Sequence, residues 1–291
     1  MFRKFLIFIA LMSLVPLSLG FTGRLLPFGE SLAAFRFPNL LAASVLVFAL
    51  RQTKFFYAAL ALICLSAVSV AIYFVPQKMN DQDVYRIYQK NLSFRIKHTE
   101  DLKADILASN SDFITLQEVT KKNLTFISEM EAHFPYHHAC PFSGVGGVAV
   151  MSRWPSTGEA KCFNNDGMSA MKVETPAGSM WLVSVHTYWP FPYGQAEQVE
   201  ILANHLKDLK GPKIIAGDFN MVPWSHSLKS FEHASDTQMT RPAIHSFTLP
   251  YIPMTIPIDH ILLPSGAKAK TAKHQKLGSD HFGVVAEFNL P

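Results

Sequence analysis

Polar residues of the types that bind metal ions or transfer protons follow the ends of several predicted strands. Loops at strand ends are where a fold commonly displays its chemistry. Each residue alone has an ordinary explanation, as a turn residue or as a histidine satisfied within the core. Eight such positions together favour a functional site over unrelated coincidences. The residues are Asn91, Glu118, His186, Asp218, Asn220, Asp259, Asp280 and His281.

Four of these residues offer the oxygen ligands of a hard cation. Mg²⁺ binds carboxylate and amide oxygens together with water, and these groups are present in Asn91, Glu118, Asp218 and Asp280. The sequence has no Cys/His cluster with the spacing of a zinc site, which disfavours zinc.

The histidines add proton-transfer chemistry. An imidazole oriented by a carboxylate can act as a general base or acid near neutral pH. His281 and His186 are the candidates for this role, and Asp259 is the candidate that orients the ring. A divalent cation with an oriented histidine suits phosphoester hydrolysis, in which charge on the phosphoryl oxygens is neutralised and a water is aimed in line.

Strands and helices alternate from residue 84 onward and must position these groups. Helices are predicted at 98–110, capped by Thr99, at 124–134, and at 194–211, closed by Gly211. This alternation predicts a single α/β domain over residues 84–291. The predicted strands are 84–90, 113–119, 146–155, 169–176, 180–190, 213–220, 256–264 and 283–290.

The first 76 residues concentrate the apolar residues of a chain that is 49% hydrophobic. Segments 5–21, 37–50 and 55–74 predict a membrane anchor of about three transmembrane helices over residues 1–76, followed by a polar linker at 77–83. A cleaved secretory signal is the alternative for the first segment, and a buried core helix is the alternative for the second.

Basic residues in the short loops predict the orientation of the anchor. Arg3, Lys4, Arg51 and Lys54 lie on one side of the three segments, and Arg24 and Arg36 lie on the other with Glu30. The more basic side is expected in the cytoplasm. The predicted location is the bacterial cytoplasmic (inner) membrane, with the catalytic domain outside the cytoplasm.

Charge disfavours a nucleic-acid-binding role. Residues 1–76 hold six Lys or Arg and one Glu, so 20 of the 26 basic and 21 of the 22 acidic residues lie in 77–291, a net charge of −1. Nucleic-acid-binding domains usually carry a basic excess. The basic balance of the whole chain therefore comes from the anchor.

The cysteines leave one question open. Cys140 and Cys162 flank a predicted strand hairpin, and an oxidising compartment would allow them to pair. The sequence does not give the geometry that a disulfide requires, so pairing and free thiols both remain open at this point.

Six motifs in order resemble those of the endonuclease/exonuclease/phosphatase superfamily, over about residues 84–291. The arrangement with several N-terminal spans resembles a bacterial, membrane-anchored branch of it. The motifs are "KNL" (90–92), "LQEV" (116–119), "VHTYWP" (185–190), "GDFN" (217–220), "IDHIL" (258–262) and "SDHFGVVAEF" (279–288).

The resemblance implies a four-layer αββα sandwich and a Mg²⁺ or Mn²⁺ cofactor. It places Asn91, Glu118 and Asp280 at the metal. It assigns Asp218 and Asn220 to the water and the scissile phosphate, His186 to the phosphate or to proton donation, and Asp259 to orienting His281. The chain lacks the extra length that many nuclease members use to grip a duplex.

Aromatic residues near the motifs indicate the substrate. Tyr188, Trp189, Phe191 and Tyr193 follow His186, and Trp224 follows Asn220, while "TLPYIPMTIP" (248–257) precedes Asp259. Trp and Tyr favour the membrane interface, so these residues are interpreted as a lipid-contacting rim. Core packing, or rigidification of the loops by proline, is the alternative for them.

The predicted function is hydrolysis of a phosphorylated lipid or lipid-linked (pyro)phosphate by a membrane-anchored metalloenzyme. An extracytoplasmic nuclease acting on DNA or RNA is the alternative, and a non-catalytic membrane interaction module is the second alternative.

Overall fold

A computed structural model describes residues 1–79, 84–163, 166–250 and 254–290. Of the predicted linker, residues 80–83 lie outside the described residues. The described chain has eight α-helices: α1 (Phe2–Leu19), α2 (Pro27–Ala34), α3 (Arg36–Leu46), α4 (Phe56–Ala71), α5 (Glu100–Ala108), α6 (Leu124–Met130), α7 (Gln195–Asp208) and α8 (His226–Ser235).

The same residues form fourteen strands. They are β1 (Tyr85–Asn91), β2 (Phe113–Val119), β3 (Tyr136–Ser143), β4 (Gly146–Ser152), β5 (Ser156–Cys162), β6 (Met168–Thr175), β7 (Gly178–His186), β8 (Lys213–Asp218), β9 (Thr237–Met239), β10 (Phe247–Thr248), β11 (Thr255–Ile256), β12 (Asp259–Pro264), β13 (Lys268–Lys273) and β14 (Val284–Asn289).

Two six-stranded sheets form the centre of the domain. One has the strand order β13-β14-β1-β2-β4-β3 and the other has the order β5-β6-β7-β8-β12-β9. Apolar residues from the facing sides of both sheets, among them Phe113, Leu182 and Phe288, form one buried cluster. The outer faces pack on α5 and α6 for the first sheet and on α7 and α8 for the second. This layering confirms the predicted αββα sandwich.

Every strand that the sequence predicts is present, with ends that shift by up to about four residues. The prediction missed α8 and the edge strands β3, β5, β9 and β13, whose alternation of buried and exposed residues is weak or short. Thr99 is the N-cap residue of α5 as predicted, although within the described residues its side chain accepts no hydrogen bond from a backbone N–H of the first turn.

Two N-terminal helices are long and apolar enough to cross a membrane, at Phe2–Leu19 and Phe56–Phe74. Pro16 lies within α1 and does not end it. The middle segment differs from the predicted span. Its 11 residues in α3 and four in the following 3₁₀ turn rise roughly 24 Å, less than a ~30 Å hydrocarbon core. It counts as a third span only together with α2, at a bend of 70°.

The N-terminal helices contact the sandwich through α2 and the end of α4. The Glu30 carboxylate accepts hydrogen bonds from the backbone N–H groups of His226 and Ser227, at 2.9 and 3.0 Å. The indole of Trp224 donates to the Ala33 carbonyl at 2.8 Å. Residues 1–76 therefore pack against the loop and helix that follow β8. The division into an anchor and a separate catalytic domain stays a prediction.

Cys140 and Cys162 form a disulfide. They lie inside β3 and β5 rather than beside a hairpin, and these strands are edge strands of different sheets. The bridge therefore links the two sheets at one edge of the sandwich.

Candidate active site

The register of the central strands brings the predicted residues to one end of the two sheets. In the first sheet, parallel pairing of β1 and β2 places Asn91 opposite Gln117. In the second, β7 and β8 run parallel with His186 opposite Asp218. Antiparallel β12 places Asp259 opposite the same Asp218.

The "GDFN" turn has a specific physical basis at each polar position. A Cβ at Gly217 would lie 1.9 Å from the Val185 carbonyl oxygen, so the close approach of β8 to β7 requires glycine. Asp218 Oδ1 accepts the backbone N–H of Asn220 at 2.9 Å, and Asn220 has φ of 47°. This is the Asx-turn chemistry that the motif suggests, and it leaves Asp218 Oδ2 facing the site.

These residues border a cavity of about 480 Å³ that opens between the two sheets. The cavity is lined by six of the eight predicted residues: Glu118, His186, Asp218, Asn220, Asp280 and His281. The other two contact this set from behind, Asn91 through Glu118 and Asp218, and Asp259 through His281. All eight residues therefore meet at one site.

His281 is held by a buried carboxylate. Its Nδ1 donates to Asp259 Oδ2 at 2.8 Å, and Asp259 Oδ1 accepts from Gln89 Nε2 at 2.8 Å. Burial alone would lower the pKa of His281, but the carboxylates of Asp259 and Asp218 outweigh it and raise that pKa to about 9. The imidazole is therefore a cation at neutral pH, with Nε2 toward the cavity.

Asp218 is the carboxylate at the centre of the site. Its Oδ2 accepts from Asn91 Nδ2 at 2.9 Å and lies 3.6 Å from His186 Nε2 and 3.7 Å from His281 Nε2. Burial raises the pKa of Asp218 to about 7, and the charge of Asp259 adds to this while His281 opposes it. A carboxylate with this pKa can exchange a proton near neutral pH.

His186 is neutral at the same pH. Burial lowers its pKa to about 4, with a further contribution from the charge of His281. Its Nδ1 is buried and has no hydrogen-bond partner among the residues that the structure describes, and the same holds for Asn220 Oδ1. Both residues line the cavity. Unpaired buried polar atoms at a cavity wall are expected where a ligand or water completes the site.

The donor set fits a hard divalent cation, with Glu118 and Asp280 as the residues that would hold it. Both line the cavity. Glu118 has φ of 56°, and its Oε2 accepts the Phe94 backbone N–H at 2.6 Å. Burial raises the pKa of Glu118, which a bound cation would reverse because it favours the charged form.

Asn91 presents its amide nitrogen, not its oxygen, to this position. Its Nδ2 donates to Glu118 Oε1 at 3.2 Å, while its Oδ1 accepts the Ser93 backbone N–H at 2.8 Å. Asn91 thus bridges Glu118 and Asp218 in this arrangement. Its role as a metal ligand stays a prediction that requires the amide to release Ser93.

Asp218, Asp259 and His281 also lie close enough to hold an ion, with ligand atoms within 4.8 Å of one another. The hydrogen bond between Asp259 and His281 already uses one ligand atom of each residue. A cation there would break that pair, so the position beside Glu118 and Asp280 is the better one.

Sequence reasoning missed the buried polar residues behind the site. Gln89 links Asp259 to Gln117 Oε1 at 2.8 Å, and Gln117 Nε2 donates to Ser184 at 3.0 Å. The signal was available, because Gln89 and Asn91 are polar residues at a spacing of two in a buried strand and face the same side.

Lys90 points to the opposite face of β1 and holds the loop that carries Asp280 and His281. Its Nζ donates to the carbonyls of Gln275, Lys276 and His281 at 3.1, 2.6 and 2.8 Å. Burial lowers its pKa to about 8. A fully buried lysine cannot be inferred from the sequence alone.

The aromatic residues divide into two groups. Tyr188, Trp189, Phe191 and Tyr193 are 38–67% exposed, and three of them line the cavity, which is the position expected of a rim. Trp224 is buried against α2 and α4, so its place in the rim was wrong. Of the predicted stretch 248–257, residues 251–253 lie outside the described residues.

Comparison with solved structures finds the same fold. TDP2 of D. rerio, in complex with a single-stranded DNA product, has 16% identity and a TM-score of 0.56, with 72% of this chain and 100% of that chain covered. Sphingomyelinase C of Streptomyces griseocarneus has 17% identity and a TM-score of 0.52, with coverage of 72% and 100%.

A protein of the endonuclease/exonuclease/phosphatase family from Leptotrichia buccalis has 16% identity and a TM-score of 0.55, with 71% of this chain and 100% of that chain covered. A search of curated proteins by sequence found no match. A profile of the Endonuclease/Exonuclease/phosphatase family matches residues 91–281, which begin at Asn91 and end at His281. Since that match spans well over half of the chain, the protein belongs to the endonuclease/exonuclease/phosphatase family, whose members are metal-dependent phosphodiesterases and phosphatases.

Proposed function

We propose that the protein is a membrane-anchored, divalent-metal-dependent hydrolase that cleaves the phosphoester or pyrophosphate group of a lipid. The observation that carries the proposal is the cavity in which a carboxylate set and the His281–Asp259 pair meet beneath an exposed aromatic rim. Carboxylates beside an oriented imidazole suit phosphoester hydrolysis.

The reaction needs a nucleophilic water, a proton acceptor for it and a proton for the leaving oxygen. A Mg²⁺ or Mn²⁺ ion bound at Glu118 and Asp280 would neutralise charge on the phosphoryl oxygens. The water attacks phosphorus as the phosphorus–oxygen bond to the leaving group breaks. Asp218, with its pKa near 7, takes the proton of the water, and Asn220 helps to position that water.

His281 supplies positive charge and a proton from a position beside Asp218, with its Nε2 3.7 Å from the Asp218 carboxylate. Asp259 holds its Nδ1–H, so Nε2–H is directed to the phosphoryl or leaving oxygen. His186 stays neutral because its pKa is about 4, and it contacts the phosphate as a hydrogen-bond donor. The products are the phosphorylated fragment with the oxygen of water and the released alcohol or phosphate.

Several features support attachment to a membrane. The helices Phe2–Leu19 and Phe56–Phe74 have the length and apolarity of spans, and they expose large apolar side chains, among them Phe5, Phe8 and Leu65. Extended exposed apolar surface indicates contact with lipid or protein. The disulfide between Cys140 and Cys162 supports an extracytoplasmic location for the sandwich, because such bonds persist in oxidising compartments.

A lipid substrate is favoured over nucleic acid on two grounds. The exposed aromatic residues Tyr188, Trp189 and Tyr193 border the cavity in the position that would contact an interface. Residues 77–291 carry a net charge of −1, which provides no electrostatic attraction for a polyanion.

The test is hydrolysis by the full-length protein in detergent micelles with Mg²⁺ or Mn²⁺. The substrates are a long-chain lipid phosphomonoester, a lipid phosphodiester, a lipid pyrophosphate, single- and double-stranded DNA, and RNA. His281→Ala is the inactive variant, and His133→Ala, at an exposed histidine that does not line the catalytic cavity, is its matched control.

Metal-dependent turnover of a lipid phosphate that His281→Ala abolishes and His133→Ala retains is the expected result. A preference for DNA or RNA would replace the proposal with a nuclease. An absence of turnover on every substrate would favour a non-catalytic membrane interaction module.

A further inference from the structure

A second cavity, of about 440 Å³, lies where the N-terminal helices meet the sandwich. We call it the junction groove. One wall is formed by α3, α4 and the 3₁₀ turn that follows α4, with Phe37, Val70 and Phe74. The other wall is formed by Trp224 and the segment 254–257. Its volume falls within the roughly 300–1,000 Å³ of small-molecule sites.

The walls of the junction groove suit hydrocarbon. Two polar side chains that border it are engaged within the protein: the Trp224 indole donates to Ala33, and His245 Nδ1 donates to the Thr255 carbonyl at 2.7 Å. The His245 ring also stacks on Phe74, with centroids 5.2 Å apart. Apolar cavities hold apolar ligands in preference to water.

A two-stranded hairpin separates the junction groove from the catalytic cavity. Phe247 in β10 pairs with Ile256 in β11. Ile256 lines the groove and Phe247 lines the catalytic cavity. The Phe247 ring lies 4.7 Å from the His281 ring and 5.6 Å from that of Trp189, between centroids. One pair of residues therefore touches both spaces.

The other side of the junction groove borders a helix with the properties of a membrane span. Val70, Ala71 and Phe74 lie in the last turns of the apolar helix Phe56–Phe74, and Ala71 is exposed. A lipid chain in the bilayer beside this helix would meet the groove without crossing water.

We infer that the junction groove binds one hydrocarbon chain of the lipid whose phosphate occupies the catalytic cavity. This inference rests on the proposed function, which it deepens by assigning the chain of the substrate a site. The hairpin β10–β11 then lies between the chain and the phosphate of one molecule.

The first test is the dependence of kcat/KM on chain length in the full-length protein with Mg²⁺. Each methylene buried in the groove is expected to raise kcat/KM by up to about fourfold, until the groove is filled and the value reaches a plateau. A kcat/KM that is flat along a series of monodisperse lipid phosphates with 4 to 16 carbons per chain would overturn the inference and leave the hydrolase standing.

A matched pair of variants locates the effect. Ala71→Phe fills the junction groove, and Ala61→Phe places the same ring at another exposed position of α4 outside it. We expect Ala71→Phe to lower kcat/KM for the longest substrate at least tenfold and to leave a soluble ester of headgroup size unchanged. Ala61→Phe is expected to change neither. Equal losses in both variants would contradict the inference, and if Ala71→Phe does not fold, the chain-length series decides.

A binding measurement separates the inference from the reaction. The inactive His281→Ala protein is mixed with a lipid phosphate brominated at mid-chain, and quenching of tryptophan fluorescence is recorded. We expect quenching that Trp224→Phe and Ala71→Phe both weaken, with Trp189 at the catalytic cavity contributing the remainder. Quenching without turnover in the unmodified protein would refute the hydrolase and support the chain site. Equal quenching by brominated phosphatidylcholine would show that the quenching comes from non-specific contact with bulk lipid, and it would overturn the inference.

Discussion

Glu30 is predicted to stabilise the sandwich from outside it, through the first turn of α8. Its two carboxylate oxygens accept the N–H groups of His226 and Ser227 at 2.9 and 3.0 Å, and the Ser225 hydroxyl accepts that of Leu228 at 3.0 Å. Three backbone donors that a helix start leaves unpaired are thereby satisfied. A carboxylate there also meets the positive end of the helix dipole.

Glu30 is only 4% exposed, so water does not readily replace the carboxylate in a truncated variant. Glu30→Ala leaves the buried N–H of Ser227 and the partly buried N–H of His226 without these partners, at up to about 1–3 kcal/mol each, which predicts a loss of about 2–6 kcal/mol in the free energy of unfolding. Glu30→Gln keeps one acceptor oxygen and removes the charge, so its loss should be about half as large. For a protein of this size the larger loss corresponds to a fall in Tm on the order of 10 °C.

The assay is thermal unfolding of the full-length protein in detergent, with amide hydrogen exchange at residues 226–228. Glu100→Ala is the matched control, because Glu100 lies in the first turn of α5 and is exposed. Faster exchange at 226–228 should accompany the fall in Tm of Glu30→Ala. If Glu30→Ala and Glu100→Ala have the same Tm and exchange rates, the capping argument is refuted. By the same argument, a fragment of residues 77–291 should be less stable than the sandwich in the full chain.

Three further predictions concern stability and positioning. Replacing Cys140 and Cys162 by Ser removes a disulfide of sequence separation 22 and should lower the free energy of unfolding by about 3 kcal/mol by the chain-entropy relation. Calorimetry should find no such loss in Cys64→Ser. Burial lowers the pKa of His260 from 6.5 to about 4. The neutral ring therefore contributes fully to the free energy of unfolding above pH 6.5, and this contribution falls by about 3 kcal/mol as the pH drops to 4. The free energy of unfolding of His260→Gln should decline less steeply across that range, and an unchanged slope would contradict the shift. Gln89→Leu removes a donor to the Asp259 carboxylate and should lower kcat about tenfold or more with KM little changed, whereas a change confined to KM would place Gln89 in binding instead.

The strand ends could be predicted from the sequence because two independent signals agree there. Apolar runs such as "KIIAGDFN" indicate buried strands. Packing in the core does not explain the polar residue at the end of each run. The parallel pairs β1–β2 and β7–β8 then bring Asn91, Glu118, His186 and Asp218 to the same end of the two sheets.

The contacts that hold the site depend on distant pairings that leave no local trace. The sequence pattern predicts Glu30 to be a charged loop residue, yet it contacts residues almost 200 positions later in the chain. Arg36 also reads as a loop charge, but it is buried in α3 and donates to the Gly20 carbonyl. Periodicity cannot identify such residues, because their partners come from other elements of the fold.

The edge strands were missed for a related reason. β5 is exposed along most of its length and has no alternating apolar face, so its strand character comes from pairing with β6 and from the bridge to β3. Trp224 was assigned to the rim because it follows "GDFN", whereas α2 and α4 cover it.

The most direct test of the proposed hydrolase is the destination of solvent oxygen. The full-length protein is given a lipid phosphomonoester in H₂¹⁸O with Mg²⁺, and both products are analysed by mass spectrometry. We predict one ¹⁸O atom in the released phosphate and none in the alcohol, with no turnover after removal of the metal or in His281→Ala. Appearance of ¹⁸O in the alcohol, or turnover that persists in His281→Ala, would contradict attack of water on phosphorus at this site.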